Sequence, residues 1–434
     1  MNRIALICLI VLSAAVSDAQ SKHPLTFDDF IGLGRVTDPQ VSPDGKTVAF
    51  VVTFHNKAEN KTNSNIYLVP VDGNAVRQLT AAKGANNTPR WMPDGKSLAF
   101  ISTRDGEAQI WTMPVGGGEA HRVSSISTGV SDLQVSPDGN WFSFSSEVYP
   151  DCPNDESNGK RIQEVEKSKV KAKIFDKLPY RVWNSWKDGK RSHLLVLPVN
   201  GGASKEITPG DYDSPPIDLG GSWSHDWSPD GSEIAFTRNA DPAVAVSTNN
   251  DIYVVPVRGG EAKKITDNPG NDSQPLYSPD GKYVAYVQMK RAGFEADQKQ
   301  LILFERLTGK RLNITERFDY SVNDFLWTPD SKTIYFNADD KSNESLFRIN
   351  VASGKMDVLI DKGYNHSLRI LPDGKGLILV KESINQPAEI YSIDQSGKIV
   401  KRLTLTNDKK LSQIELNPKE IGRASCRERV YLRV

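Results

Sequence analysis

The apolar residues of this chain come in short runs rich in β-branched and aromatic side chains, such as Thr47-Val-Ala-Phe-Val-Val52 and Ser97-Leu-Ala-Phe-Ile101. Polar turn formers cut them apart, and runs of this kind predict β-strands. The punctuation is periodic. Val41-Ser-Pro-Asp-Gly-Lys46 returns as Trp91-Met-Pro-Asp-Gly-Lys96, Val135-Ser-Pro-Asp-Gly-Asn140, Trp227-Ser-Pro-Asp-Gly-Ser232, Tyr277-Ser-Pro-Asp-Gly-Lys282, Trp327-Thr-Pro-Asp-Ser-Lys332 and Ile370-Leu-Pro-Asp-Gly-Lys375. The prolines stand at 43, 93, 137, 229, 279, 329 and 372, with spacings of 50, 44, 92, 50, 50 and 43. A second signature interleaves with the first at Ile66–Pro70, Ile110–Pro114, Leu194–Pro198, Ile252–Pro256, Leu301–Phe304, Leu346–Ile349 and Ile390–Ile393. Each of these runs is followed by a Gly-containing turn, and most then close on Leu-Thr or Ile-Thr, as at Leu79-Thr80 and Ile265-Thr266.

Each piece has a physical reason. Proline presets φ at the first corner of a turn, Asp bonds its own backbone, and Gly takes the conformation a side chain forbids. One period holds a strand before Pro-Asp-Gly, one after it, the Ile-Tyr-type strand and the strand ending at Leu-Thr. Four antiparallel strands in ~45–50 residues make a propeller blade. The predicted fold is an all-β, seven-bladed β-propeller of four-stranded antiparallel blades over residues 24–410. It forms one toroidal domain, although 434 residues would ordinarily suggest two or three. The slot before Ser-Pro carries Trp91, Trp227 and Trp327, but also Val41, Val135, Tyr277 and Ile370. It is therefore an inter-blade packing position. Blade one begins with its own inner strand near Val36–Val41 and blade seven ends with its own outer strand near Ile399–Leu405. The ring should close by packing alone, without strand exchange.

The 92-residue spacing contains one copy of each signature, so it holds an insertion, 147–192, between the second and third strands of blade three. The insertion is basic and helix-like from Lys160 to Phe175, which reads as a solvated helical face. A long decorated excursion from a compact blade is a place to look for function.

Composition narrows the function classes. Lys+Arg and Asp+Glu are both 54, for a formal net charge of +0, which removes the electrostatic case for a nucleic-acid binder. No apolar run reaches the ~20 residues that span a bilayer. Arg3, the apolar run Ile4–Val11 and the small residues Ser17 and Ala19 form a secretory signal peptide over residues 1–19. The expected location is secreted or periplasmic, with no membrane contact after signal cleavage. Of the 3 cysteines, only Cys152 lies inside the predicted domain, so no disulfide framework is expected. The cysteines and 6 histidines have no metal-ligand spacing, and no metal or other cofactor is expected.

The sequence presents no nucleophile motif. The chain has no G-x-S-x-G elbow, and the glycine pairs 201–202, 220–221 and 259–260 lack the strand–helix context of a phosphate loop. Histidines 23, 55, 121, 193, 225 and 366 are scattered without a Ser or Cys partner motif. No catalytic residue is assigned.

The opening His23-Pro-Leu-Thr-Phe-Asp-Asp-Phe30 and Arg35-Val-Thr-Asp-Pro-Gln-Val-Ser-Pro-Asp-Gly-Lys46 resembles the start of prolyl-oligopeptidase-type serine peptidases, in the dipeptidyl-peptidase V and acylaminoacyl-peptidase branch. Ser145-Ser-Glu-Val-Tyr-Pro150 and Arg181-Val-Trp-Asn-Ser-Trp-Lys-Asp-Gly-Lys-Arg-Ser-His193 resemble segments of the same branch. The resemblance covers about residues 23–420 and implies a propeller that caps an α/β-hydrolase domain with a Ser-Asp-His triad, admitting short peptides. The chain stops where that domain should begin. Residues 411–420 read as the start of a linker to it, and 421–434, with four arginines, as a frameshift or assembly scar. The resemblance makes the chain the substrate-gating propeller of an exported serine exopeptidase, inactive alone, whose partners are its own hydrolase domain and short peptides. Glu147 is a candidate to pair with a peptide's free amine, and Arg181 and Trp183 to line the entrance. The competing class is a non-catalytic, TolB-like or WD40-like propeller scaffold for protein binding.

Overall fold

The second strand of the first repeat, Thr47–Asn56, explains why its apolar run does not alternate with polar residues. Val48, Phe50 and Val52 pack against Ile378, Val380, Ile390 and Leu403 near the C-terminal end of the chain. Ala49 and Val51 face the other way, against Leu98, Phe100 and Trp111 of the second repeat. A strand buried on both faces reads as a continuous apolar run. The computed structural model describes residues 22–73, 75–217 and 224–416. The proposed signal peptide, linker residues 417–420 and the 421–434 tail lie outside them.

The fold is all-β and propeller-like. Five sheets have four strands each, and an eight-stranded sheet consists of two further four-strand meanders joined at the single parallel bridge Glu344–Tyr364. Every meander is antiparallel and runs in chain order, the first as Arg35–Val41, Thr47–Asn56, Lys61–Pro70 and Arg77–Gln78. Each core cluster is shared by two consecutive meanders, and one is shared by the last and the first. Trp227 and Trp327 are buried in these shared clusters and Trp91 packs against one, as the sequence pattern requires.

Both sequence signatures have local causes. Ser42 Oγ donates to Asp44 Oδ1 (2.6 Å) and accepts from Thr47 N (2.9 Å), while Asp44 accepts from Lys46 N (3.1 Å). The same hydroxyl–aspartate bond recurs at Ser136–Asp138, Ser228–Asp230, Ser278–Asp280 and Thr328–Asp330. These turns also nest along the chain. A Cβ on Gly139, at φ +69°, would sit 3.1 Å from Pro93 of the preceding turn. On Gly45 it would sit 3.2 Å from Pro372 of the last turn. In the Leu-Thr/Ile-Thr signature, the hydroxyl of Thr80, Ser124, Thr208, Thr266, Thr315 or Thr404 accepts the N–H of the residue 14 positions earlier, at 2.8–2.9 Å. That residue opens the Ile-Tyr-type run, so the two ends of the signature are one clamp.

The chain ends do more than pack. Asn407, buried, accepts from Gly34 N (2.8 Å) and donates to Gly34 O (2.9 Å). His23–Pro24 pairs in parallel with Ile414–Glu415, outside every meander. Among the described residues no strand of one end enters the other end's meander, and expecting packing alone missed these hydrogen bonds.

Candidate functional site

Alternating strand directions put two kinds of connection on one face: those between second and third strands, and those leading from one meander to the next. Both described chain ends emerge on that face. The long excursion leaves it too, between Trp141–Val148 and Arg191–Pro198. Pairing continues to Val148–Arg191, which trims the excursion to 149–190.

Its helix, Asp155–Lys167, starts at Asn154, whose side chain accepts from Ser157 N (3.0 Å). Asp155 takes the N–H of Ser127 (2.8 Å), and buried Asn158 accepts from Tyr149 N (2.8 Å). These bonds tie the helix to the blade. The helix stops at Ser168, extended at φ −61°, ψ 132°, and does not run to Phe175 as the basic composition suggested. The residues beyond alternate Lys with Val, Ala and Ile, a period-2 pattern that gives no helix an apolar face. A two-strand hairpin follows, Arg181–Val182 paired with Ser185–Trp186. Trp186 stacks on Phe175 (5.9 Å between centroids) and on Tyr180 (6.0 Å), and Phe175 and Tyr180 meet at a tilt (5.9 Å).

Between the excursion and the next meander lies a cleft of about 1090 Å³, walled by Phe175, Leu178 and Tyr149 on one side and by Tyr212 and Pro242 on the other. Ion pairs Arg191–Asp211 (2.8 Å), Lys187–Asp213 (3.4 Å) and Lys177–Asp211 (3.8 Å) hold the walls together.

The sequence-predicted residues stand around this cleft without lining it. Glu147 lies on the stem opposite Ser192. Loss of water pushes its carboxyl up; Lys187 pulls it back, and Asp213 and Asp188 push it further. Arg181 is exposed on the hairpin, and Trp183, 78 % exposed, turns its tip at φ +49°. Among the described residues, no hydrogen bond or ion pair joins any two of the three. Tyr149, Phe175 and Tyr212, which do line the cleft, were missed. Their only sequence signal was aromatic residues within or beside the excursion.

A second cavity, about 430 Å³, takes its lining from the first strand of every meander, including Gln40, Arg90, Gln134, Leu276, Leu326 and Leu368. Register breaks in these strands put Asp38, Thr88, Asp132, Gln274 and Ser367 in the left-handed region, at φ +48° to +58°. Asp38 holds Arg90 (2.9 Å) and Arg369 (3.6 Å), linking the first, second and last meanders.

Beside them the structure gathers a hydroxyl, an imidazole and a carboxylate that the sequence reading left apart. Ser143 Oγ lies 2.8 Å from His225 Nε2, and His225 Nδ1 lies 3.4 Å from Asp132. Ser224 also donates to Asp132. Burial works to raise the Asp132 carboxyl, but the hydrogen bond and charge of His225, helped by Ser224 and Arg90, hold it at about 2. Burial wins at neighbouring Asp226, pushed up to about 7. Ser143 is fully buried and accepts from Trp227 Nε1 (2.8 Å). A nucleophile must reach its substrate; this hydroxyl is fully buried, and the cluster joins the third and fourth meanders.

Residues 25–154 match the family model described as a TolB beta propeller domain. The chain is 30% identical over 409 residues to dipeptidyl-peptidase 5 of Porphyromonas gingivalis, covering 92% of this chain and 58% of that protein. It is 28% identical over 428 residues to the uncharacterized peptidase YuxL of Bacillus subtilis, covering 93% of this chain and 62% of that one. Among solved structures, Pyrococcus horikoshii acylaminoacyl peptidase superposes with a TM-score of 0.68 at 18% identity, covering 89% of this chain and 55% of that one. The propeller domain of the Trilobed protease from Pyrococcus furiosus, described as having an open velcro topology, gives 0.58 at 15% identity, covering 87% and 98%.

Proposed function

We propose that this chain, homologous to the propeller portion of dipeptidyl and acylaminoacyl peptidases, is the substrate-admitting propeller of an exported serine exopeptidase acting on short peptides. The observation that carries this reading is the extent of the match: 92% of the chain aligns with 58% of a dipeptidyl-peptidase 5. Placement supports it. The excursion, its cleft and both described chain ends share one face, so a catalytic α/β-hydrolase portion following the propeller would sit over the cleft. The reaction's serine, acid and base belong to that portion. Glu147, Arg181 and Trp183 then stand at the rim of a peptide's path, with Glu147 placed to meet a free amine.

The same reading takes the meanders as seven blades closed without strand exchange, which the shared core clusters and the Gly45–Pro372 contact favour. It takes residues 1–19 as the export signal. The scaffold alternative draws on the TolB-type match at 25–154. One observation tests the proposal and a second separates it from the scaffold. The purified chain should neither cleave dipeptidyl or acyl-aminoacyl reporters nor label with a serine-directed phosphonate; robust labelling defeats the proposal. Reading the coding sequence downstream decides against the scaffold if an in-frame G-x-S-x-G follows, and for it if a genuine stop codon does.

A further inference from the structure

Beyond the rim positions Arg181 and Trp183, the excursion carries exposed side chains to which the peptidase reading gives no role. Residues 160–191 hold eleven Lys/Arg against four Asp/Glu, a net +7 in a chain whose formal charge is +0. Several of these cations are neutralised locally, as in Lys187–Asp213 and Arg191–Asp211. Lys167, Lys169, Lys171, Lys173 and Arg181 are exposed, and among the described residues none of them has an ion-pair partner.

Large apolar side chains stand out between these cations. Ile174 is 96% exposed, Trp183 78%, Val170 72% and Leu178 63%, with Trp186 and Tyr180 about half exposed. Single exposed apolar residues are ordinary, but a group of this size within one short segment points to a contact surface. A solvated helical face does not account for it, because the helix ends at Lys167, before most of these residues. The sequence pattern expected no membrane contact, but it could not reveal this exposure.

The combination selects an occupant. Unpaired cations need an anionic partner, and protruding Trp, Tyr, Ile and Val need somewhere apolar to insert. Trp and Tyr favour the boundary between water and hydrocarbon because the ring is apolar and the N–H or O–H is not. A surface of anionic headgroups over acyl chains offers both. We propose that residues 165–186 dock this protein on an anionic lipid surface, with the lysines at the headgroups and the side chains of Ile174, Trp183 and Trp186 below them. The proposal does not rest on the peptidase reading.

The test is co-sedimentation of the chain with vesicles of phosphatidylcholine containing roughly a third phosphatidylglycerol, against phosphatidylcholine alone. Binding should be at least about tenfold tighter on the anionic vesicles and should fall steeply by ~0.5 M salt. It should bring a blue shift in tryptophan fluorescence. Two variants alter exposed residues only, with circular dichroism as the folding check. Lys169→Glu/Lys171→Glu/Lys173→Glu should abolish binding. Trp183→Ser/Trp186→Ser should leave weak, salt-sensitive attraction without the blue shift. Absence of binding at low salt overturns the proposal and leaves the surface to a protein partner. Undiminished binding by both variants overturns it too, as does equal binding to soluble poly-glutamate.

Discussion

Replacing Asn407 by Ala removes a side chain that joins the two described ends of the chain through paired hydrogen bonds. In the native protein it satisfies the N–H (2.8 Å) and the C=O (2.9 Å) of Gly34, and both residues are buried. The substitution orphans a buried donor and a buried acceptor, each costing about 1–3 kcal/mol. The first and last meanders keep their apolar contact through Phe50, Val52, Ile378 and Val380, so the loss should be partial, about 3 kcal/mol. That is roughly a hundredfold in a local opening equilibrium and roughly 3–8 °C in the melting temperature of a chain this long. The assay is hydrogen exchange resolved along the chain. Amides of Arg35–Val41 and Ile399–Arg402 should exchange roughly a hundredfold faster, while the third and fourth meanders keep their protection. Asn365→Ala is the control. That asparagine is equally buried but bonds Glu344 O (2.7 Å) between the sixth and seventh meanders, so it should open that junction instead. Unchanged exchange at residues 35–41 in Asn407→Ala would refute the reasoning, and so would equal opening of them by Asn365→Ala.

Other outcomes follow from the same structure. Asp44, Asp138, Asp230, Asp280 and Asp330 all have lowered carboxyl values, Asp230 at about 2, held chiefly by the turn hydroxyl and neighbouring backbone N–H groups. A depressed folded value stabilises above the unfolded value and is lost as pH falls, so the urea midpoint should decline from about pH 4 toward pH 2. Ser228→Ala should flatten that decline as well as lower the midpoint. Burial pushes Asp272 up to about 7, and its sign is the opposite: the charged form costs stability as pH rises through that value. Asp272→Asn should therefore raise the urea midpoint at pH 8 and change it little at pH 4. Trp227→Phe removes the donor to Ser143 and should cost about 1–2 kcal/mol in urea unfolding, and Ser143→Ala should leave phosphonate labelling at background, as in the native chain.

What the sequence made legible was whatever repeats within one meander. Pro-Asp-Gly turns and the Thr80-type clamp each act over 14 residues or fewer, so their signals lie close together in the chain and return with the period. The apolar runs were legible as well, because burial on both faces removes the alternation that would make them ambiguous. Legibility stopped where residues meet across meanders. Ser143 and His225 are 82 positions apart, and Gly34 and Asn407 are 373 apart; only the curvature of the assembled sheets brings them within bonding distance. The excursion was visible as an interruption of the period. Its helix end was not, because lysines at alternate positions look helical by composition and extended by spacing. Of the three residues proposed for the entrance, the sequence located the region but not the cleft wall, which Tyr212 and Pro242 supply from the neighbouring repeat.

The most direct measurement is a chimera in which residues 22–416 replace the matching portion of Porphyromonas gingivalis dipeptidyl-peptidase 5, assayed on a short peptide and on a folded protein of the same terminal sequence. The account predicts dipeptide release from the short peptide and none from the protein. A chimera that folds, by circular dichroism, but releases nothing from the peptide would contradict it, and so would one that cuts both substrates alike.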